Sequence, residues 1–205
     1  MLLPFLSECP SCNLAFLLDA SSKSTNDWQN ILNFVNNLVT RFNINQNCVR
    51  VAVIRYALSA DVSIPLNRFN DVNSLRAGIN SLTIIGGGSN LTTALQVLRL
   101  QVFASFASNV VRPGATLVAG IVTDRLTCSS QITTEAANLR NGMRVHIVGV
   151  AITETRRVDT GCLRGLVTPN QYAESATYNQ LNRYVGQVGG FLCVSTAPRP
   201  SRMCL

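Results

Sequence analysis

Residues 13–25 read NLAFLLDASSKST, and this stretch decides the fold. Its apolar run, 13–18, ends at Asp19, as is typical of a buried strand in a parallel sheet. The serine-rich turn that follows contains Lys23, the only lysine among 205 residues. Beyond the turn, apolar residues recur at helical spacing from Trp28 onward, and polar residues at 24–27 can cap a helix. The stretch predicts a buried strand, a polar turn and an amphipathic helix.

Strands and helices continue to alternate along the rest of the chain. Apolar runs predict strands at 48–57, 115–124, 144–152 and 171–174. An antiparallel edge strand is predicted at 59–66, where Pro65 is tolerated. Helices are predicted at 71–82, 91–106, 130–141, 162–167 and 177–188. This pattern favours an α/β fold: a doubly wound, mostly parallel sheet with one antiparallel edge strand and helices on both faces.

The length of 205 residues fits one domain. We predict an N-terminal extension at 1–11, the domain at 12–194 and an irregular C-terminal tail at 195–205. The start, MLLPFLSECPSC, lacks the basic segment of a complete signal peptide, so either a leader has been removed or cut short, or the numbering begins at a mature boundary. No apolar run reaches the roughly 18 residues that a membrane span needs.

The net charge of +7 comes almost entirely from arginines, which are spread along the chain without forming a run. Two interpretations remain open. One is a basic surface with no specific partner, and the other is affinity for acidic partners such as sulfated glycans or acidic matrix proteins. Nucleic-acid binding is disfavoured, because aromatic residues make up only 6% of the chain.

The sequence offers little for enzymatic chemistry. His146 is the only histidine, and it lies in the apolar run RVHIVGV, where a strand residue is expected rather than a base or a metal ligand. The sequence contains no G-x-S-x-G motif, phosphate loop or dinucleotide fingerprint. The pair Cys9 and Cys12 has redox spacing, but it precedes a strand instead of opening a helix. We therefore expect neither a hydrolase nor a redox enzyme.

Three loops are expected to meet where the parallel strands end. They are the turn after Asp19, the loop GGGSN at 86–90 and the turn after Asp124. Their side chains supply carboxylate and hydroxyl oxygens, which suit a hard divalent cation such as Mg²⁺. The candidate ligands are Asp19, Ser21, Ser89 and Asp124, with Ser22, Ser24 and Thr123 close by.

Three motifs in this order resemble those of the von Willebrand factor type A domain, over about 12–193. The family's D-x-S-x-S appears as FLLDASSK, and its G-G-x-T-x-x-G-x-A-L appears as GGGSNLTTAL. Its T-D-G appears as AGIVTDR, with Arg125 in place of glycine. The resemblance implies a Rossmann-like fold and a metal-ion-dependent adhesion site, which a partner's carboxylate often completes. It makes Asp19, Ser21 and Ser89 ligands and Asp124 a direct or water-bridged one.

Lys23 replaces the second serine of the first motif, and an ammonium cannot ligate a metal. In one interpretation Lys23 points to solvent, and Ser22 or Ser24 supplies the missing ligand of a weakened metal site. In the other, Lys23 bridges Asp19 and Asp124, and the domain binds without a metal.

The seven cysteines favour structural disulfides and an oxidising compartment. The resemblance implies a bond between Cys12 and Cys193, which would close the bottom of the domain. Cys128 and Cys162 follow adjacent strands and are candidates for a bond beside the site. The remaining three, Cys9, Cys48 and Cys204, allow one more bond and one free or intermolecular thiol. Asn90 begins a glycosylation sequon, although a chance match is the stronger interpretation.

From the resemblance we expect a secreted, non-enzymatic binding module of extracellular-matrix type. It would bind collagen, another matrix protein or copies of itself through its top face, with or without a divalent cation. The alternative is a structural, self-assembling matrix protein with a vestigial metal site, cross-linked through spare cysteines.

Overall fold

A six-stranded sheet forms the centre of the protein in a computed structural model, which describes residues 11–104 and 110–194. The strand order is β3-β2-β1-β4-β6-β8, and β3 alone runs antiparallel to its neighbour. Two further strands, β5 and β7, pair as a separate two-stranded ribbon. The strands are β1 (Cys12–Asp19), β2 (Val49–Tyr56), β3 (Ala60–Ile64), β4 (Thr116–Thr123), β5 (Arg125–Leu126), β6 (His146–Ile152), β7 (Arg157–Val158) and β8 (Tyr172–Ser175). The predicted mostly parallel sheet with one antiparallel edge is confirmed.

Within the described residues, six α-helices cover the sheet. They are α1 (Thr25–Val39), α2 (Val72–Asn80), α3 (Leu91–Val97), α4 (Ser130–Ala137), α5 (Thr160–Leu166) and α6 (Val185–Val194). Wider π-helical turns extend α3 over 98–103 and α4 over 138–142, and a 3₁₀ segment at 178–184 precedes α6. The predicted helix at 177–188 is therefore two different helical segments. Within the described residues, no helix is both long and apolar enough to cross a membrane.

The core lies in two layers, one on each face of the sheet. Alternate residues of β1 enter different layers: Leu14 and Phe16 pack with α1, α2 and α6, whereas Ala15 and Leu17 pack with α3, α4 and α5. Strand β1 is buried along its whole length, because helices cover both faces. Each leucine that is removed fully from water contributes about 1.5–3 kcal/mol, so this strand is a major source of stability.

The order of the strands reverses at β1, which lies between β2 and β4. The carboxyl end of β1 is aligned with that of β2, since Asp19 is the register partner of Tyr56. Connections leave β1 and β4 toward opposite faces, and this opens a crevice at their carboxyl ends. We call this edge of the sheet the top face.

The cysteine pairing at the bottom of the sheet corrects one prediction. Cys12 carries a free thiol that is 3% exposed, so the expected bond from Cys12 to Cys193 is not formed. As the first residue of β1, Cys12 shares the apolar layer of Leu14 and Phe16, which turns its sulfur into the core. Cys48 is disulfide-bonded. The predictions for Cys9 and Cys204, and for the side chain of Cys193, lie outside the described residues.

Burial raises the pKa of the Cys12 thiol from 9.0 to about 12, although the nearby Arg112 charge lowers it in part. The thiol is therefore protonated and shielded at pH 8. We expect iodoacetamide to modify Cys12 rapidly in urea and very slowly in the native protein, as measured by peptide mass spectrometry. The Cys12 thiol ionises at a lower pH in the unfolded chain than in the folded protein. The stability that comes from burying the neutral thiol is therefore complete below pH 9, and it is lost as the pH rises toward 12. Rapid native modification at Cys12 would contradict this placement.

Candidate functional site

The turn after β1 is built around the side chain of Asp19. Both Asp19 and Ser21 are completely buried. The backbone amide of Ser21 donates to Asp19 Oδ1 at 3.0 Å, and its hydroxyl donates to the same oxygen. Strand β1 thus ends in a tight turn that is held by its own last carboxylate, before Ser24 caps α1.

The glycine loop at 86–88 is fastened to this first turn. The amides of Ile85 and Gly86 both donate to the carbonyl of Ala20, at 2.9 and 3.0 Å. Ser22 and Gly87 exchange two hydrogen bonds, which join Ser22 N to Gly87 O and Gly87 N to Ser22 Oγ. Gly86 and Gly87 have φ values of 88° and 75°, a region that glycine adopts without a steric cost. These glycines allow the second loop to lie directly against the first.

The second and third loops meet at the other oxygen of Asp19. Ser89 Oγ donates to Asp19 Oδ2 at 2.8 Å, and Thr123 Oγ1 donates to it at 3.0 Å. Both hydroxyls also lie near the carbonyl of Arg125, at 3.3 and 2.9 Å. Asp124 is 1% exposed. The structure therefore brings together the four residues named from the motifs, namely Asp19, Ser21, Ser89 and Asp124.

The ammonium of Lys23 lies among these oxygens. Lys23 Nζ is 3.1 Å from Asp124 Oδ1, 3.5 Å from Asp19 Oδ1 and 3.0 Å from the carbonyl of Ser21. Its contact with Asp124 is an ion pair rather than a well-aligned hydrogen bond. The Lys23 side chain is only 2% exposed, so the interpretation in which Lys23 points to solvent is wrong.

The neighbouring serines do not replace the lost ligand of the first motif. Ser22 Oγ accepts from Gly87 N, and Ser24 Oγ accepts from Asp27 N as the cap of α1. Within the described residues, neither hydroxyl forms a hydrogen bond with Asp19 or Asp124. The Lys23 ammonium occupies the space between the two carboxylates. A divalent cation placed there would lie against this ammonium and be repelled by it. The residues present therefore do not fit a divalent cation at this position.

Two tyrosines that the sequence patterns did not identify surround the carboxylates. Burial, and then the charge of Asp19, raise the pKa of Tyr56 well above its ordinary value. Burial, and then the adjacent Asp124, raise the pKa of Tyr178 in the same way. Both hydroxyls are buried without a well-aligned hydrogen-bond partner in the described structure. Tyr56 ends β2 beside Asp19, so the alignment of the strand ends could have predicted its position near the carboxylates. No sequence pattern predicted such a position for Tyr178.

The disulfide predicted beside the site is formed between Cys128 and Cys162, with their Cα atoms 5.6 Å apart. It joins the segment after β5 to α5. Asn90, the predicted glycosylation position, caps α3, and its side-chain oxygen accepts from Thr92 N. Its glycosylation stays a prediction.

The fold and the three loops define the class of protein. The chain belongs to the von Willebrand factor type A domain family, whose model matches residues 13–187. It is 23% identical over 188 residues to the collagen alpha-5(VI) chain of Mus musculus, and 26% identical over 141 residues to matrilin-3 of Gallus gallus. These alignments cover 89% and 67% of this chain but only 7% and 31% of the relatives. The domain is thus an adhesion-type, non-enzymatic module like those of extracellular-matrix proteins.

Solved structures of low sequence identity share the fold. Proximal thread matrix protein 1 from the mussel byssus matches with a TM-score of 0.78 and 21% identity, over 90% of this chain and 47% of that chain. The Plasmodium vivax TRAP protein matches with a TM-score of 0.70 and 16% identity, over 89% of this chain and 74% of that chain. The mussel protein has been solved with zinc in its metal-ion-dependent adhesion site (MIDAS) motif, and the Plasmodium protein has been solved in a manganese-loaded form.

We expect Lys23→Met to lower the free energy of unfolding by about 3–5 kcal/mol, because it leaves two buried carboxylates without a counter-charge. Urea denaturation at pH 7 measures the loss. The double variant Lys23→Met/Asp124→Asn is the control, since it also removes one carboxylate and should recover part of the stability. A loss below about 1 kcal/mol, as for an exposed ion pair, would contradict the buried placement.

Proposed function

We propose that this domain is a secreted matrix-binding module that recognises its partner without a divalent cation, because Lys23 takes the position of the metal. The single observation that carries the proposal is the Lys23 ammonium, 3.1 Å from Asp124 and 3.5 Å from Asp19. The proposed domain spans 12–194. Its partner is collagen, another matrix protein or a second copy of the chain, and the kinship with collagen VI chains and matrilin-3 supports that choice.

The charge of the site supports a role for Lys23 as a permanent substitute for the metal ion. Two buried carboxylates require a counter-charge, and one ammonium reduces their formal charge from −2 to −1. An ammonium has three donors and no lone pair. Lys23 donates to the Ser21 carbonyl and to Asp19, and it forms an ion pair with Asp124. Mg²⁺ demands near-octahedral geometry and would have to displace this side chain first.

The buried ammonium also changes how a partner binds. A metal ion at the surface has an open coordination position that an incoming carboxylate can fill. Lys23 has no such position, because its side chain is almost fully enclosed. Recognition therefore falls to the exposed rim of the top face, and the buried site serves to hold the three loops together.

Covalent self-assembly through spare cysteines stays a prediction with less support. Cys12 is buried, and Cys128 and Cys162 are bonded to each other. Cys9 and Cys204 lie outside the described residues.

The proposal is tested by calorimetric titration with Mg²⁺, Mn²⁺ and Zn²⁺. We expect no saturable binding to the wild-type site, whereas Lys23→Ser restores the serine of the family motif and gains metal binding. A metal that binds only the folded state raises the melting temperature, so Lys23→Ser should melt higher with Mn²⁺ than with EDTA. Lys23→Met is the matched control, because it removes the ammonium but supplies no ligand oxygen.

Two results would contradict the proposal. One is wild-type binding that Asp19→Asn abolishes, since it would place a metal in the site despite Lys23. The other is a melting temperature of the wild type that rises with Mn²⁺ as much as that of Lys23→Ser.

A further inference from the structure

The only N-glycosylation sequon of the chain, Asn90-Leu91-Thr92, lies directly after the glycine loop, where α3 begins. Asn90 and Thr92 are partly exposed, whereas Leu91 between them is buried. Leu91 therefore holds the sequon to the core, and the asparagine and the threonine stay at the surface of the top face.

The side chain of Asn90 is oriented so that it can carry a sugar. Its Oδ1 accepts from Thr92 N at 3.2 Å and caps α3. Its Nδ2 has no hydrogen-bond partner within the described residues, and it is not a buried atom. N-glycosylation replaces one hydrogen of Nδ2 and leaves the side-chain carbonyl oxygen in place, so the cap of α3 is compatible with the modification.

An exposed leucine lies beside this attachment point. The backbone amide of Asn90 donates to the carbonyl of Ala57 at 2.7 Å, and Leu58 is the next residue after Ala57. Leu58 is 69% exposed, more than any other large hydrophobic residue in the described part of the chain. Its Cδ2 would lie 3.0 Å from a Cβ at Gly88, so its side chain lies against the glycine loop. Asn90, Leu58 and the glycine loop are therefore one continuous part of the rim.

We propose that Asn90 carries an N-linked glycan whose first sugars cover Leu58 and the glycine loop. Sugar rings have apolar faces, and removing the exposed Leu58 side chain from water favours their contact with it. The glycine loop presents backbone without side chains at 86–88, so a sugar can lie close to it. This proposal rests on the proposed function, because only a chain that enters the secretory pathway meets the glycosylating enzyme.

The reaction is a transfer of an oligosaccharide from a lipid pyrophosphate carrier. Asn90 Nδ2 forms a bond to the anomeric carbon of the sugar and loses one proton. The bond between that carbon and the pyrophosphate oxygen breaks, and the lipid pyrophosphate leaves. The step needs no oxidant or reductant, since the carrier supplies an activated sugar.

The glycan would change which part of the top face a partner can reach. Sugars above the glycine loop exclude a protein from that side of the rim, so recognition shifts toward the β5–β7 ribbon. The buried site is not disturbed, because the Ser89 hydroxyl beside Asn90 is directed at Asp19. Glycosylated and unmodified chains therefore present different binding surfaces over the same buried ion pairs.

The first test is peptide mass spectrometry of the chain secreted by animal cells behind an added leader peptide. We expect a glycan on Asn90 in the wild type and in Thr92→Ser, which keeps the sequon. Thr92→Ala is the matched control, because it removes the sequon hydroxyl while Asn90 and its backbone partners remain. Peptide N-glycosidase F converts a glycosylated asparagine into aspartate, which identifies the modified position.

Hydroxyl-radical footprinting of the same proteins tests whether the glycan covers Leu58. We expect Leu58 to be oxidised several-fold more slowly in the glycosylated wild type than in Thr92→Ala. Leu100 is the internal control, since it is 58% exposed and lies roughly 15 Å from Asn90 along the same helical segment. Its rate of oxidation should be equal in the two proteins.

Three results would overturn the glycan proposal: an unmodified Asn90 in the secreted wild type, a glycan that persists in Thr92→Ala, or equal oxidation of Leu58 in both proteins. Calorimetric titration of the same secreted chain with Mn²⁺ separates the two proposals. Saturable metal binding by a glycosylated chain would remove the metal-free function and keep the glycan. An unmodified chain that binds no metal would do the reverse.

Discussion

The ion pairs of Lys23 with Asp19 and Asp124 are the interaction on which the top face depends. The two carboxylates end or follow the central strands of the sheet, and both are almost fully buried. Without a counter-charge they would repel each other in a medium of low dielectric constant. The ammonium meets this requirement from within the chain, whereas an adhesion site of the family type meets it with a bound ion.

Asp19 connects this charge balance to the backbone of all three loops. One of its oxygens accepts from the Ser21 amide, and the other accepts from Ser89 and Thr123. These hydrogen bonds fasten the three loops to a single carboxylate. The Ser89 and Thr123 hydroxyls also lie near the Arg125 carbonyl, so strand β5 is joined to the same site.

The sheet and its order of elements follow from the sequence, because long apolar runs ending in Asp19 and Thr123 admit few other structures. The convergence of Asp19, Ser21, Ser89 and Asp124 could be predicted for the same reason, since parallel strands place their ends together. The direction of the Lys23 side chain could not be predicted, because a long side chain beside two carboxylates can turn toward them or toward water. Two-residue strands such as β5 and β7 leave no periodicity to detect. The free thiol of Cys12 was missed because the family resemblance, rather than the alternation along β1, decided its partner.

A crystal structure of the wild-type protein grown with Mn²⁺, with data collected at the manganese absorption edge, would show whether Lys23 or a metal ion lies between the two carboxylates. We expect no anomalous peak between Asp19 and Asp124, and electron density for the Lys23 ammonium in contact with both carboxylates. An anomalous peak at that position, with Lys23 turned out to solvent, would contradict it.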